Sequence, residues 1–243
     1  MHRIICISIL VLGVALAAGC EDDSTSPSTA LPASFAKGEV PSFPGADAFV
    51  DEVTNPYLAF EPGKTFRYES ETDEGLEVTI DEVTDLQKTV MGIDVTVVHD
   101  QVFLNDELIE DTFDWYAQDE NGNVWYFGED TKTLENGVVV STHGSWEAGI
   151  TGEPGIVMLA QPFPGATYHQ EDAPGIAEDM GRVKKLNVSA DVEYGSFDNA
   201  LQVTEWTPLE PGVKEYKFYV PGVGLVLETG KHGERLELVE ITH

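Results

Sequence analysis

The sequence is short of cysteine, of positive charge and of long apolar runs, and each shortage removes a class of function. Two cysteines, Cys6 and Cys20, occur in 243 residues, too few for a disulfide framework or a thiolate metal site. Thirteen Lys and Arg stand against 44 Asp and Glu, a formal net charge of −31, so nucleic acid and anionic lipid headgroups are not expected as partners. The signatures H-E-x-x-H and G-x-S-x-G are missing, as are a phosphate-binding glycine loop and a basic aromatic patch. Beyond the N-terminal His2, the histidines His99, His143, His169, His232 and His243 show no metal-ligand spacing. No cofactor and no metal centre are expected, and the acidity is read first as solubility in a salty or exterior setting, ahead of specific calcium binding.

The one strongly apolar run lies at the start. Arg3 precedes Ile4 to Leu16, a stretch too short to span a bilayer as a stable helix, which reads as an export signal. It ends in AAGC, Ala17 to Cys20, followed by acidic and Ser/Thr/Pro-rich residues. This resembles the lipobox of bacterial lipoproteins, with Ala17 where Leu is usual and Leu16 one place earlier. The resemblance implies cleavage before Cys20, lipid on its thiol and anchoring of the exported chain in the membrane of the cell envelope. The plain alternative is secretion with Cys20 unmodified. Removing residues 1–19 takes away one basic residue, Arg3, and leaves 12 against 44 acidic ones, or −32. Residues 20–45 are poor in large apolar side chains, cannot offset their ordering entropy, and read as a flexible tether. A single β domain is expected over 46–243.

From Tyr57 onward there is no amphipathic helical pattern of ten or more residues. Runs with a period of two recur instead, among them TFRYES (65–70), LEVTIDEV (76–83), DVTVVHDQVFL (94–104) and KEYKFYV (214–220), punctuated by Asn-Gly and Pro-Gly turns. The predicted fold class is all-β: an antiparallel meander of hairpins forming one barrel-like or sandwich domain. PGKTFRYE (62–69) matches PGATYHQE (164–171) at an offset of 102, and Ile80, Val83, Gly92 and Tyr116 fall on Val183, Leu186, Gly195 and Tyr219 at 103. This spacing predicts two related halves, about 57–143 and 162–243, sharing one core because each is small alone. NPYLAFEPGKTFRYE (55–69), YGSFDN (194–199) and FYVPGVGLV (218–226) together resemble a group of exported bacterial β proteins with a P-G-x-T-aromatic opening and a Y-x-P-G-V-G-L-V segment near the end. That resemblance implies an exported all-β fold and carries no activity or catalytic residue with it.

Residues 110–130, EDTFDWYAQDENGNVWYFGED, can close in two registers. A two-residue turn on Asn121-Gly122 sets Asp114 opposite Glu129, which is unfavourable without a cation between the carboxylates. A type I turn beginning at Asp119, with Gly122 left-handed as a bulge, pairs Ala117 with Trp125 and Trp115 with Phe127. It puts Phe113, Trp115, Ala117, Trp125 and Phe127 on one face, and Thr112, Asp114, Tyr116, Gln118, Tyr126 and Asp130 on the other. Because a one-residue slip would scramble this segregation, the bulged register is the one predicted. The apolar face is then core, and the face with Tyr116, Gln118 and Tyr126 is left to meet a partner. An EF-type calcium loop is excluded, because in DENGNV the Gly comes at the fourth place rather than the sixth.

The second half stops matching the first at YHQEDAPGIAEDMGRV (168–183), where Gln170 stands for Tyr68, Asp179 for Leu76 and Gly181 for Val78. Either the offset changes there or a cavity is lined with polar groups. In the second case His169, Gln170, Glu171, Glu178 and Asp179, with Trp146 and Glu147 from the linker, form an acidic cleft suited to a divalent cation or a glycan. Three functions suit these residues. The first is a non-catalytic binding or scaffold module of the envelope, its partner a glycan, a divalent cation or an envelope protein. The others are a carboxylate-pair hydrolase acting on polysaccharide and a carrier of an apolar ligand in a barrel cavity. Mass spectrometry of the native protein is expected to find Cys20 as the first residue, carrying diacylglycerol; a free Cys20 thiol would overturn the anchoring.

Overall fold

The computed structural model describes residues 41–58, 60–230 and 233–243, so the export signal, Cys20 and the tether up to residue 40 lie outside the described residues. After a 3-10 turn at Ala46–Ala48 the regular structure is all strand. The first half holds β1 (Phe49–Val50), β2 (Thr65–Thr72), β3 (Gly75–Val83), β4 (Lys88–Val90), β5 (Ile93–Leu104), β6 (Glu107–Asp119), β7 (Val124–Glu135) and β8 (Val138–Ser141). β9 (Trp146–Glu147) and β10 (Gly155–Met158) lie in the linker. The second half holds β11 (Thr167–His169), β12 (Met180–Val192), β13 (Gly195–Trp206), β14 (Glu215–Val220), β15 (Gly224–Thr229) and β16 (Arg235–Thr242).

The long strands pair in the order β10-β7-β6-β5-β3-β2-β16-β15-β14-β13-β12-β11, and the short β1, β4, β8 and β9 hang from this path. Neighbouring strands are antiparallel, as a meander of hairpins requires, and the pairing of β16 with β2 stitches the second half to the first. The sheet is not closed. Its two ends, β10 and β11, are consecutive in the chain and meet at a seam, where Glu153 bridges Asp172. Gly155 permits the approach: a Cβ there would stand 2.0 Å from the Gln170 carbonyl oxygen.

The two P-G-x-T openings are held alike. Gly63 N–H donates to the Val83 carbonyl at 2.7 Å and Gly165 N–H to that of Val183 at 2.9 Å. The return bonds, Val83 N–H to Lys64 and Val183 N–H to Ala166, are both 2.9 Å. Val183 therefore occupies the pairing place of Val83, not that of Ile80. The offset does change over 168–183, and Asp179 lies opposite Gln170 as Thr79 lies opposite Tyr68.

The β6–β7 turn has the predicted geometry. Gly122 N–H donates to the Asp119 carbonyl at 2.8 Å, Gly122 has φ +93, and Ala117 pairs with Trp125. The Asp119 carboxylate fastens the tip by accepting from the Asn121 and Asn123 backbone N–H groups, the Asn123 amide and Trp125 Nε1. Beyond Tyr116↔Tyr126 the register departs from expectation. An extra residue at Phe127-Gly128 shifts the ladder, so that Asp114 lies opposite Glu129 and not opposite Gly128. This second bulge re-aims every later side chain of β7. Glu129, Thr131 and Thr133 turn inward, and Asp130, expected beside Tyr126, is exposed.

Both faces of the hairpin are buried. Trp125 and Phe127 pack edge-on against Phe43 and Phe49 from the N-terminal segment, with ring centroids 5.4–6.4 Å apart. Phe43, read as tether, is thus already part of the packed body. Lys88 lies 3.7 Å above the Trp115 ring, and His99 stacks on Phe113 at 4.2 Å. Trp115, Trp125 and Phe127 are buried as expected and Phe113 is half-buried, but they form the covered outer side of a curled sheet. The opposite face is the interior. Gly128 holds the bulge at φ +123, and a Cβ on it would stand 2.2 Å from the Trp146 carbonyl oxygen. Gly128→Ala is therefore expected to lower stability by at least about 2 kcal/mol in urea unfolding; an unchanged midpoint would show that the bulge does not constrain the fold.

An acidic, tyrosine-lined candidate site

The inner face carries carboxyl groups on neighbouring strands. Asp81 on β3 lies opposite Asp100 on β5, Asp114 on β6 opposite Glu129 on β7, and Glu205 on β13 opposite Glu215 on β14. One ammonium group answers them from within. Lys217 of β14 is wholly buried, with Nζ 2.7 Å from Glu205 Oε2 and 3.7 Å from Glu228 Oε2. The Lys217 charge also reaches Asp81 and Asp114 across the interior and moderates their pKa values. Burial nevertheless pushes both of those carboxyls up to about 7, and Glu228 up to about 8. Asp100 is raised well above the usual range by burial and by its neighbours Asp81 and Asp114. Asp81 Oδ1, Asp100 Oδ1 and Asp114 Oδ2 have no hydrogen-bond partner among the described residues.

Tyr126 ties this lattice to a cavity. Its hydroxyl reaches Asp114 Oδ1 and, at 3.2 Å, Glu129 Oε2. One O–H cannot donate to both at once. Tyr126 stacks on Tyr116 at 4.8 Å, and Trp146 stands edge-on to it at 5.6 Å. Trp146 in turn donates Nε1–H to Glu171 Oε1 at 3.3 Å. Between these groups, at the seam, lies a half-open cavity of about 30 Å³ lined by Tyr116, Tyr126, Glu129, Gln170, Glu171 and Asp179, with Val157 of β10 at its side. It has room for one or two water-sized species. Glu171 is held well above the usual carboxyl range, first by burial and then by Asp179 and Glu129.

Of the residues singled out in the sequence, Tyr116, Tyr126, Gln170, Glu171 and Asp179 meet at this cavity, with Trp146 behind Glu171. Gln118 does not face a partner. It is buried and clamps Thr54, accepting its backbone N–H at 2.9 Å and donating to its hydroxyl at 3.1 Å. Glu147 turns to Lys88 at 2.8 Å, Glu178 closes a turn on the Gly175 N–H at 2.7 Å, and His169 is exposed on β11. The face carrying Tyr116 and Tyr126 is interior, not surface, because the sheet curls over it. An apolar carrier would need an enclosed apolar pocket of roughly 300–1,000 Å³; the space here is small and polar.

Asp81, Asp100, Glu129, Glu205 and Lys217 are not among the residues singled out in the sequence. One signal was present. KEYKFYV places Glu215, Lys217 and Tyr219 on one parity, and it is this parity that is buried, with Phe218 and Tyr216 on the half-exposed side.

No family model matches the chain, and no curated protein matches its sequence. Two solved structures resemble it. One, from Bacteroides fragilis, is described as an exported protein with a YmcC-like fold; it has 14% identity and a TM-score of 0.45, over 75% of this chain and 97% of that one. The other, from Parabacteroides distasonis, is described as a lipoprotein; it has 12% identity and a TM-score of 0.42, over 77% and 99%. Neither description names a ligand or an activity.

In the unfolded chain the inner carboxyls titrate near their ordinary values of about 4. Folded, Asp81, Asp114 and Glu228 hold their protons up to about 7 or 8. The folded state therefore binds more protons across this window. Its stability is fully present below about pH 4 and falls as pH rises through 7 to 8. The melting temperature is expected to be at least about 5 °C higher near pH 5.5 than near pH 8.5. Relief of the general negative charge has the same sign, so Asp114→Asn, which should shrink the difference, isolates the inner contribution; a flat profile would contradict it.

Proposed function

We propose that this chain is an exported, lipid-anchored protein of the bacterial envelope that acts as a non-catalytic binding module, its seam cavity taking a small cationic group. The export signal and the AAGC segment support the location. The observation that carries the binding reading is the cavity beside Tyr116, Tyr126, Glu129, Glu171 and Asp179. Its surroundings supply negative charge and π faces, its lining holds no Lys or Arg, and the buried Lys217 is engaged by Glu205. A cation entering there would relieve repulsion that burial otherwise resolves by protonation.

The hydrolase reading keeps one favourable feature, a raised carboxyl in Glu171 next to Asp179 and Glu129. A sugar ring, however, does not fit a space of about 30 Å³. Thermal unfolding near neutral pH should separate the two. At constant ionic strength, a small cation at about 100 times its dissociation constant should stabilise the fold by about 2.7 kcal/mol, and oligosaccharides should have no effect. Stabilisation by an oligosaccharide and by no cation would reverse the order of the readings.

A further inference from the structure

We propose that the seam cavity is a receptor for a primary ammonium group, the head of an alkylamine or of a lysine side chain. This narrows the cation-binding reading above and rests on it.

The first argument is an internal precedent. At the offset of 103, Asp114 and Tyr116 of β6 correspond to Lys217 and Tyr219 of β14, and the pairings agree: Val98 lies opposite Asp114, and Val203 lies opposite Lys217. In the second half an ammonium group is held, wholly buried, by two carboxylates at 2.7 and 3.7 Å. In the first half the equivalent residue is a carboxylate, so the charge there is inverted. Gln170 connects the two places, since it lines the cavity and donates to Glu205 Oε1 at 2.8 Å.

The second argument is the state of the cavity wall. Tyr116 is only 4% exposed and lines the cavity, and its phenol oxygen can accept from an N–H donor placed there. Asp114 Oδ2, 2% exposed, has no hydrogen-bond partner among the described residues and lies one hydroxyl away through Tyr126.

The third argument is size and donor count. An ammonium head is water-sized and brings three donors and no acceptor, which suits a cavity of about 30 Å³ walled by carboxyls, a phenol and aromatic faces. A guanidinium or a quaternary ammonium is too large. A calcium ion asks for six to eight oxygens at about 2.3–2.6 Å, and no three of the described Asp, Glu, His or Cys residues converge as metal ligands. Behind the head, an alkyl chain would leave past Val157 through the open side.

The test uses the full chain in detergent at constant ionic strength, titrated with n-butylammonium, 1,4-diammoniobutane and Nα-acetyl-lysine N-methylamide and read by tryptophan fluorescence and thermal shift. Tetramethylammonium, sodium and calcium are the comparison ions. Primary ammonium compounds should saturate one site at least tenfold more tightly than tetramethylammonium. Preference among the three separates a free amine from a lysine side chain. Tyr116→Phe and Glu171→Gln should each weaken binding about tenfold or more, while Glu178→Gln, outside the cavity, should leave it unchanged. Thermal melts of the free variants establish that they fold; if Glu171→Gln does not, Tyr116→Phe decides alone. Equal binding to the folded variants, or saturation by calcium or sodium with n-butylammonium inert, overturns the ammonium assignment and leaves cation binding standing. Saturation by no cation overturns both.

Discussion

Repulsion among carboxyl groups held inside a curled sheet is the constraint around which this structure is organised. Asp81 faces Asp100, Asp114 faces Glu129 and Glu205 faces Glu215 across adjacent strands, where like charges are unfavourable even at a wet surface. Buried, they can persist only if protons, hydroxyl donors or cations reduce the charge. Lys217 does this for the second half through Glu205 and Glu228. In the first half the task falls to the Tyr126 hydroxyl and to protons retained on Asp81 and Asp114.

Several local features make sense as consequences. The bulge at Phe127-Gly128 takes a left-handed backbone that Gly128 adopts freely, and its effect is to bring Glu129 to the inner face beside Tyr126. The seam between β10 and β11 opens the sheet where the carboxyls of Glu129, Glu171 and Asp179 gather, so the cavity has access to solvent. Gly155 keeps the two ends close enough for Gln170 to line that cavity while donating to Glu205. On the outside, Phe43 and Phe49 cover the Trp125 and Phe127 rings, so the N-terminal segment closes the hydrophobic side of the same hairpin.

Much of the architecture was legible in the residues. Alternation with β-branched and aromatic side chains marked the strands, and Asp119 with Gly122 specified the turn, because those signals act over a few residues and need no distant partner. The cavity was legible in part. The break at 168–183 pointed to Gln170, Glu171 and Asp179, and the offset changes within it by the length of a connection, which alternation does not record. His169 and Glu178 were grouped with them by proximity in sequence, but His169 is exposed and Glu178 closes a turn on Gly175. The second bulge was not legible, since Phe127-Gly128 carries no sign of its left-handed backbone except the glycine itself.

By itself the sequence determined the strand content, the antiparallel meander, the acidic character and the β6–β7 turn, all of which follow from local periodicity, composition and backbone preference. Only the tertiary structure decided which parity of each strand became interior. Alternation distinguishes two faces without saying which one a curling sheet encloses, and here the polar face was enclosed because Lys217, Tyr126 and retained protons lower the cost of burying its carboxyls. That decision turned Tyr116 and Tyr126 from an expected surface into the wall of a cavity.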